Sequence, residues 1–443
     1  MSQSPRSLAD QVKARLIQKG LEKRLQQIAD APANLPAAPG RKLPDAFTRF
    51  DRQPGYQQVK LMQEGGQRLG VESPFFHVHA GTASAHSEIQ MRRVINYGSY
   101  NYLDLSGDAR VNAAAQAAID QYGTSVSASR IVAGERPIHR QLERSIADSY
   151  GVDDALVLVS GHATNVSVIS HLLGPKDMVL HDEYVHNSIL MGIQLSGAQR
   201  LGFRHNDLGA LEQLLRDHRH RVERLLIVVE GLYSMDGDFP DLPPLVALKK
   251  RYEAWLMVDE AHSFGVMGAQ GLGIREHFGV DPHDVDIWMG TLSKTLAACG
   301  GYVAGEQALI ENLRYLAPGF LYSVGMSPPL AAAALKALDI LRAEPERVTA
   351  LHERGAYFLE RVRNIGLDTG YSAGLAITPV ILGSSLEAVR LSAELLKQDV
   401  HVQPILYPAV PEKQARLRFF LSSAHTTEDI DRTVAVLAAV TRR

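Results

Sequence analysis

The chain of 443 residues contains a single cysteine, Cys299. One cysteine excludes an internal disulfide and any metal site made of several cysteines. The sequence also has no apolar run near the roughly 18 residues that span a bilayer, so we expect no integral membrane segment. Because no secretory signal sequence precedes the first predicted domain, we expect a cytoplasmic protein.

The sequence has little excess charge of either sign. Its 46 lysines and arginines face 49 aspartates and glutamates, which gives a net charge of −3. No overall field therefore recruits nucleic acid or a membrane surface, and a small neutral or anionic substrate fits better. The length predicts two or three domains.

The first 42 residues differ from this balance, because they contain eight basic and three acidic residues. Apolar residues recur at helical spacing over 8–29, and a proline-rich stretch over 31–40 ends the pattern. Two interpretations stay open: a helix that packs on the body through its apolar stripe, or a docking surface for an acidic partner.

Short apolar runs alternate with helical patterns between about residues 153 and 305. The predicted strands are 155–159, 178–181, 225–230, 256–259, 285–289 and 302–304, with helices over 164–173, 242–252 and 307–316. Strands that are apolar on both faces and alternate with helices predict an α/β fold with a mainly parallel sheet, covered on both sides. Ligands bind beyond the carboxyl ends of such strands.

The pattern changes again after this region. A long helix is predicted over 330–341, and further helices near Ala356, Ala388 and Asp429 predict a smaller α+β domain. The predicted organisation is an N-terminal helix and linker (1–42), an N-terminal segment (43–96), a large domain (97–330) and a small C-terminal domain (331–443).

Residues 290–295 read Gly-Thr-Leu-Ser-Lys-Thr and follow a predicted strand. An apolar pocket at a strand end disfavours the ammonium form of Lys294 and leaves an amine that can form a Schiff base. The alternative is an ordinary surface lysine. A phosphate loop is excluded, because Ser293 stands where the motif G-x-x-x-x-G-K-[ST] requires glycine.

Residues 259–262 read Asp-Glu-Ala-His at the end of another predicted strand. The same letters occur in helicases, but such motors need an upstream phosphate loop, which this chain lacks. Together with Lys294, the strand-end Asp259 favours a pyridine cofactor, because a carboxylate can hold the pyridine nitrogen protonated. His262 can bind the phenolic oxygen of the cofactor or a substrate carbonyl.

Seven motifs in order resemble the α-oxoamine synthases. They lie at 100–103, 160–165, 182–188, 230–238, 259–263, 291–294 and 422–426. Enzymes of this family have the aspartate aminotransferase fold (fold type I), with a seven-stranded type of sheet, and use pyridoxal 5′-phosphate (PLP) to join an amino acid to an acyl thioester. The resemblance covers residues 97–427, and it is nearest to serine palmitoyltransferases and long-chain acyl relatives from secondary metabolism.

The resemblance implies a role for each site residue. Lys294 is the Schiff-base lysine, Asp259 the partner of the pyridine nitrogen and His186 the residue that stacks on the ring, with Ser234 and His262 at its phenolic edge. Phosphate contacts fall on Gly161, His162 and Thr291, because free N–H groups at a helix start bind anions. Ser323 is expected to reach the phosphate of a second subunit in a homodimer with shared sites. Tyr100 and Asn101 are expected near the substrate.

Two departures from the family pattern concern the substrate. The element at 405–411 lacks the arginine that many relatives use for the substrate carboxylate, so Arg416 or Arg418 is expected to supply the contact, or else to form a structural ion pair. Glu135 follows Gly134 where relatives have threonine, which we expect to alter thioester recognition.

Without the family, His181, Asp182 and His186 form a possible metal group. The spacing of five residues between the histidines does not align them on one helix face, and no motif such as H-E-x-x-H occurs, so no metal is expected.

The predicted reaction is a decarboxylative Claisen-type condensation of an α-amino acid with an acyl-coenzyme A or acyl-carrier protein, similar to that of serine palmitoyltransferase with a long acyl chain. The alternatives are a glycine- or alanine-using relative, of the 2-amino-3-ketobutyrate ligase or 8-amino-7-oxononanoate synthase type, and an aminotransferase of the same fold. A non-catalytic partner subunit is disfavoured, because Lys294 is present.

Overall fold

The computed structural model describes residues 43–68 and 73–441. It divides into two compact units, one up to Ser73 and one from Pro74. The described part of the first unit contains helices α1 (Asp45–Thr48) and α2 (Pro54–Arg68). The predicted helix over 8–29 and the proline-rich stretch lie outside the described residues. Within the described ranges, every helix is too short or too polar to cross a membrane.

The unit from Pro74 is built from strands and helices that alternate through its central part. Its described strands are β1 (His79–Ala80), β2 (His86–Ile89), β3 (Arg92–Asn96), β4 (Asp154–Leu158), β5 (Met178–Asp182), β6 (Gln199–Phe203), β7 (Leu225–Glu230), β8 (Trp255–Asp259), β9 (Ile287–Thr291), β10 (Gly301–Gly305), β11 (Ile377–Ile381), β12 (Val400–His401), β13 (Gln403–Ile405) and β14 (Arg416–Phe420).

The helices of this unit cover the strands. They are α3 (Ala109–Tyr122), α4 (Pro137–Tyr150), α5 (Gly161–Leu172), α6 (Asn187–Ser196), α7 (Leu208–His218), α8 (Leu242–Arg251), α9 (Ile274–Phe278), α10 (Gln307–Leu316), α11 (Pro318–Leu321), α12 (Pro328–Ala343), α13 (Glu346–Asn364), α14 (Ser385–Lys397) and α15 (Thr427–Thr441).

A seven-stranded sheet forms the centre, in the order β4-β10-β9-β8-β7-β5-β6. Only β10 runs antiparallel to its neighbours, β4 and β9, so the predicted mainly parallel sheet is confirmed. Neighbouring residues of β7 pack on opposite faces: Ile227 belongs to one buried apolar cluster and Val228 to another. The sheet is therefore covered on both sides, as its apolar strands predict.

The predicted strands match the structure to within two residues. The largest shift is at β9, which begins at Ile287, two residues later than predicted; the preceding Asp286 accepts bonds from Leu256 N and Lys249 Nζ with its carboxylate. β6 is not predicted at all. It is an edge strand whose first residues, Gln199 and Arg200, are exposed, so it lacks the apolar run that identifies the central strands.

The C-terminal part contains a three-stranded antiparallel sheet, β11-β14-β13, with helices α13, α14 and α15, which confirms the predicted smaller α+β domain. A second small sheet, β1-β2-β3-β12, is not predicted. In it Val400 pairs with Ile95, so segments far apart in sequence share one sheet. The domain boundaries at 97 and 331 remain predictions.

Candidate active site

Four parallel strands end in polar side chains at the same edge of the central sheet. β7 ends at Glu230 and β8 at Asp259, and these two residues are paired in register. β5 ends at Asp182 and β9 at Thr291. Burial raises the pKa of Glu230 well above its usual value, and Asp259 adds to the effect. Sequence analysis assigned no role to Glu230, although it follows an unbroken apolar run.

Asp259 is buried and fixed by two hydrogen bonds. Asn165 Nδ2 donates to one carboxylate oxygen over 2.9 Å, and the Ala261 N–H donates to the other over 3.0 Å. Asn165 lies one turn beyond Gly161 on α5, so the helix that begins at the sheet edge also delivers this amide. Its role was missed, although its spacing from Gly161 could have indicated it.

Lys294 lies in the turn after β9, with its Nζ 5.8 Å from the centre of the Tyr100 ring. Desolvation lowers the pKa of Lys294 to about 8, and Arg418 acts in the same direction, whereas Asp259 and Glu230 oppose the shift. The neutral fraction of this amine near physiological pH is therefore far larger than that of an ordinary lysine, as a nucleophile requires.

His186 caps the N-terminus of α6. Its Nδ1 accepts hydrogen bonds from the Ser188 N–H (3.3 Å) and the Ser188 hydroxyl (2.7 Å), which fixes the orientation of the ring. Desolvation lowers the pKa of His186, so the ring is neutral. The neighbouring His162 ring lies 6.2 Å away at an angle of 84°.

His262 is buried, and its ring centre lies 6.3 Å from that of Tyr100. Its Nδ1 shares a 2.7 Å hydrogen bond with the Tyr102 hydroxyl, and its ring lies parallel to Phe420 at 6.2 Å. Burial lowers the pKa of His262 well below its usual value, and Lys294 and Arg418 contribute. The imidazole is therefore neutral and can accept or donate a proton. Sequence analysis gives no role to Tyr102, which lies within the motif at 100–103.

Gly161 and Thr291 form a cradle at the start of α5. A Cβ at Gly161 would lie 2.8 Å from Thr291 Oγ1, so only glycine allows this approach. The Thr291 hydroxyl donates to the Gly300 carbonyl over 3.0 Å. The first N–H groups of α5, beside the exposed His162, have no partner within the helix and suit an anion.

Ser323 does not join this cradle. It is half-buried in the turn after α11 and lines a separate cavity with Arg130, Val159 and Phe320. A role toward the phosphate site of another subunit therefore remains a prediction.

The structure separates the two arginines of β14. Arg416 donates to Asp236 Oδ1 over 2.7 Å and to the Met235 carbonyl over 2.9 Å, so its guanidinium is used in a buried ion pair. Arg418 has no carboxylate partner among the described residues. Its guanidinium lies 4.6 Å from the Phe420 ring centre, donates to the Ser234 carbonyl, and leaves Nε buried without a partner.

A contact between Asn101 and substrate stays a prediction, because the structure shows its amide bonded within the protein. Nδ2 donates to the Ala83 carbonyl over 2.7 Å, and Oδ1 accepts from the N–H groups of Leu105 and Ser106 at 3.0 Å. Asn101 therefore shapes the loop that presents Tyr100, whose ring is partly exposed beside Lys294.

Ser234 lies in the turn after β7, half-buried beside Arg418. The turn approaches β11 closely at Gly237, where φ is +72° and a Cβ would lie 2.2 Å from the Ile377 carbonyl oxygen. Glycine is required at this position on both counts.

The possible metal group is not assembled. His181 is buried within β5 and hydrogen-bonds the Asp182 carbonyl, whereas His186 faces α6. In the described part of the chain, no three His, Cys, Asp or Glu side chains lie close enough together to hold a metal ion.

The residues at this edge fit PLP. A buried carboxylate, an amine of lowered pKa and free helix N–H groups match a pyridine nitrogen, an aldehyde and a phosphate, respectively. Two buried side-chain oxygens beside Asp259, Glu230 Oε1 and Asn165 Oδ1, have no partner within the described protein: Glu230 is paired in register with Asp259, and Asn165 donates to it. Buried polar atoms without partners are uncommon and are expected where a ligand binds.

Residues 92–437 match the family model for aminotransferase class I and II. The 8-amino-7-oxononanoate synthase of Symbiobacterium thermophilum is 42% identical over 356 residues, which cover 80% of this chain and 90% of that protein. The Sphingomonas wittichii serine palmitoyltransferase superposes with a TM-score of 0.83 at 30% identity, covering 88% of this chain and 98% of that one.

A structure of serine palmitoyltransferase from S. paucimobilis with bound PLP and myriocin also superposes with a TM-score of 0.83, at 28% identity and the same coverage of both chains. The sequence motifs, the sheet order and these similarities agree. The chain therefore belongs to the aminotransferase class I and II family and, within it, to the PLP-dependent α-oxoamine synthases.

Proposed function

We propose that this chain catalyses a condensation of the 8-amino-7-oxononanoate synthase type, in which a small α-amino acid and an acyl thioester give an α-amino ketone, carbon dioxide and a free thiol. The observation that carries this choice is the 42% identity to such an enzyme over most of both chains, against 30% for a serine palmitoyltransferase. The comparisons thus favour what sequence analysis gave as an alternative over its main prediction.

The chemical structure of the product, 8-amino-7-oxononanoate, supports alanine as the amino-acid substrate. In 8-amino-7-oxononanoate, the amino-bearing carbon and the terminal methyl group are those of alanine after loss of its carboxyl group. The remaining chain ends in a second carboxylate, so the matching acyl donor is the thioester of a dicarboxylic acid.

Each site residue would have a distinct task in this reaction. Bound PLP supplies an electron sink for the pair left on the substrate α-carbon. Asp259 keeps the pyridine nitrogen protonated, and the Lys294 amine, with its pKa lowered to about 8, can accept and return the α-proton. The guanidinium of Arg418, which has no carboxylate partner among the described residues and leaves Nε without a partner, would bind the amino-acid carboxylate.

Serine with a long acyl chain is the second candidate, because two serine palmitoyltransferase structures superpose with TM-scores of 0.83. The deciding experiment titrates the PLP-loaded protein with alanine, glycine and serine while the visible absorption of the cofactor is recorded. We expect alanine to shift the band at the lowest concentration. Serine acting below alanine would exclude the first candidate.

The acyl donor is tested by thiol release. With alanine present, we expect free thiol from a dicarboxylic acyl thioester and much less from a long monocarboxylic one. An aminotransferase, a further alternative, would release no thiol and would require a keto acid.

A homodimer is proposed from exposed apolar side chains beside Ser323. Val132 and Tyr322 are 80% and 87% exposed, and the Gly325 N–H donates to the Ala128 carbonyl, which ties their two segments together. A second copy of this chain is the occupant we propose, since symmetric dimers are the commonest oligomers. Val132→Asp should yield a monomer by light scattering, and Leu386→Asp, at an exposed leucine on α14, should not.

An acyl-carrier protein is proposed as a possible donor because the first 42 residues are basic and such carriers are acidic. Removal of residues 1–40 should impair transfer from a carrier but not from coenzyme A. Equal loss with both donors would exclude docking through this segment.

A further inference from the structure

His205 lies between two aspartates outside the residues that face the cofactor space. Its Nδ1 is 2.9 Å from Asp182 Oδ1 and its Nε2 is 2.8 Å from Asp238 Oδ2. The side chain is only 8% exposed. Because both carboxylates accept, both ring nitrogens carry protons and the ring is an imidazolium.

The two aspartates begin and end the loops that carry cofactor residues. Asp182 is the last residue of β5, and the loop that follows it leads to His186. Asp238 lies at the end of the turn that contains Ser234. In that turn, the Ser234 carbonyl accepts a hydrogen bond from Arg418. His205 itself follows β6, so it joins loops from three strands of the sheet.

Other contacts make this junction rigid. The Asn206 N–H donates to Asp182 Oδ2 over 2.8 Å, and Asn206 Nδ2 donates to Asp238 Oδ2 over 2.9 Å. The Tyr184 ring stacks on His205 at 4.4 Å, and Tyr233 meets it edge-on at 4.5 Å. His205 therefore has no room to move without shifting at least one of the loops.

We propose that His205 is a positioning residue: its imidazolium, held between Asp182 and Asp238, fixes the His186 loop relative to the Ser234 turn and so sets the orientation of the PLP ring. The proposal rests on PLP dependence alone and is independent of which amino acid or acyl donor is used.

The junction also predicts a pH dependence. Burial by itself would lower the pKa of His205, but the hydrogen bonds and charges of Asp182 and Asp238 outweigh it and raise the pKa to about 10. The groups that face the ring are these two aspartates, Asn206 and the phenols of Tyr184, Tyr233 and Tyr371. Because the folded-state pKa exceeds the usual 6.5, the stabilisation is complete below pH 6.5 and is lost as the pH rises through about 10.

The experiment uses two variants that each keep one bond. The amide of His205→Asn can reach Asp182 but not Asp238, and that of His205→Gln can reach Asp238 but not Asp182, because Asn and Gln amides stand near the Nδ1 and Nε2 positions respectively. His220→Asn, at an exposed histidine, is the matched control. Each protein is loaded with PLP, and the visible circular dichroism of the cofactor, which reports ring orientation, is recorded from pH 6 to 10.5.

For both His205 variants we expect a changed circular dichroism band and a fall of about 100-fold in kcat/KM, as a displacement near 1 Å produces. The wild type should lose its normal band near pH 10, and the control should match the wild type. Variants with a lower melting temperature but the wild-type band and pH profile would overturn the proposal and leave His205 a scaffold residue.

If neither His205 variant folds, Asp238→Asn decides the question. It keeps His205 and its bond to Asp182 but removes the charge on the Ser234 turn. A changed band supports the proposal, and an unchanged band in the folded protein refutes it. Because the circular dichroism is recorded without amino acid or acyl donor, a wrong substrate in the proposed function does not affect this readout.

Discussion

Two buried clusters of charged side chains lie in the same unit and are organised differently. Around Glu143, which is fully buried, both carboxylate oxygens accept bonds from Arg130, and Arg140 adds a third at 2.7 Å. At the carboxyl edge of the sheet, Lys294 and Arg418 carry no ion pair within hydrogen-bond distance in the described protein.

The difference distinguishes charged groups that stabilise the fold from charged groups that are available for chemistry. Opposite charges that satisfy one another are stabilised in their ionised forms and have little capacity left for a ligand. At the sheet edge, burial without pairing moves pKa values instead: that of Lys294 falls to about 8 and that of Glu230 rises. Perturbed groups of this kind cluster at functional sites.

The largest expected effect is at the sheet edge, where Lys294 and Arg418 form no ion pair among the described residues; we call these two residues the unpaired cluster. Lys294→Ala should lower kcat by a factor of at least about 10⁴, because it removes the group that binds the cofactor covalently and moves the α-proton. Steady-state thiol release measures this, with Lys336→Ala on the exposed side of α12 as the control. Near-normal activity of the Lys294→Ala protein would show that the unpaired cluster is not needed for the reaction, and it would refute the assignment of Lys294 as the Schiff-base lysine.

A substitution among the ion pairs of Glu143 with Arg130 and Arg140, the paired cluster, should change the stability of the fold. Glu143→Gln removes the fully buried carboxylate that Arg130 and Arg140 share, although Glu135 still pairs with Arg130 and Asp154 with Arg140. We therefore expect the free energy of unfolding to fall by about 1–3 kcal/mol in urea denaturation. The cofactor band of the folded protein should not change. Glu223→Gln breaks an exposed pair with Lys176 and should have no measurable effect. A large loss of cofactor binding by Glu143→Gln would contradict the distinction.

Strand β14 allows the same comparison between two arginines, because Arg416 forms an ion pair with Asp236 and Arg418 has no carboxylate partner among the described residues. Arg418→Lys should raise the KM for the amino acid by about 10-fold to 100-fold, because a bidentate contact to a carboxylate is lost. Arg416→Lys should leave KM nearly unchanged and lower the free energy of unfolding by about 1–3 kcal/mol through its pair with Asp236. A raised KM in Arg416→Lys and a loss of stability alone in Arg418→Lys would show that Arg416 binds the carboxylate and that Arg418 is structural.

A smaller effect concerns the pH dependence of cofactor capture. Only the neutral amine attacks the PLP aldehyde, and the pKa of Lys294 is about 8. The rate constant for appearance of the visible band in apoprotein should therefore rise about tenfold per pH unit below pH 8 and level off above it. Stopped-flow absorption measures this. A midpoint near 10.5, the usual value for lysine, would show that burial does not act on this amine.

The sequence predicts the central sheet well, for a physical reason. Strands such as 225–230 are apolar on both faces, and the polar residue that ends each one stands out. What it could not predict depends on three-dimensional pairing: β6 lacks an apolar run, Arg416 and Arg418 differ only in their neighbours, and His205 gains its role from two aspartates 23 and 33 positions away.

The central claim is that the unpaired cluster binds PLP through Lys294. The most direct test loads the protein with PLP, reduces it with borohydride and maps the modified peptide by mass spectrometry. The account predicts a phosphopyridoxyl group on Lys294 alone. Labelling of another lysine, or none, in a folded protein would contradict it.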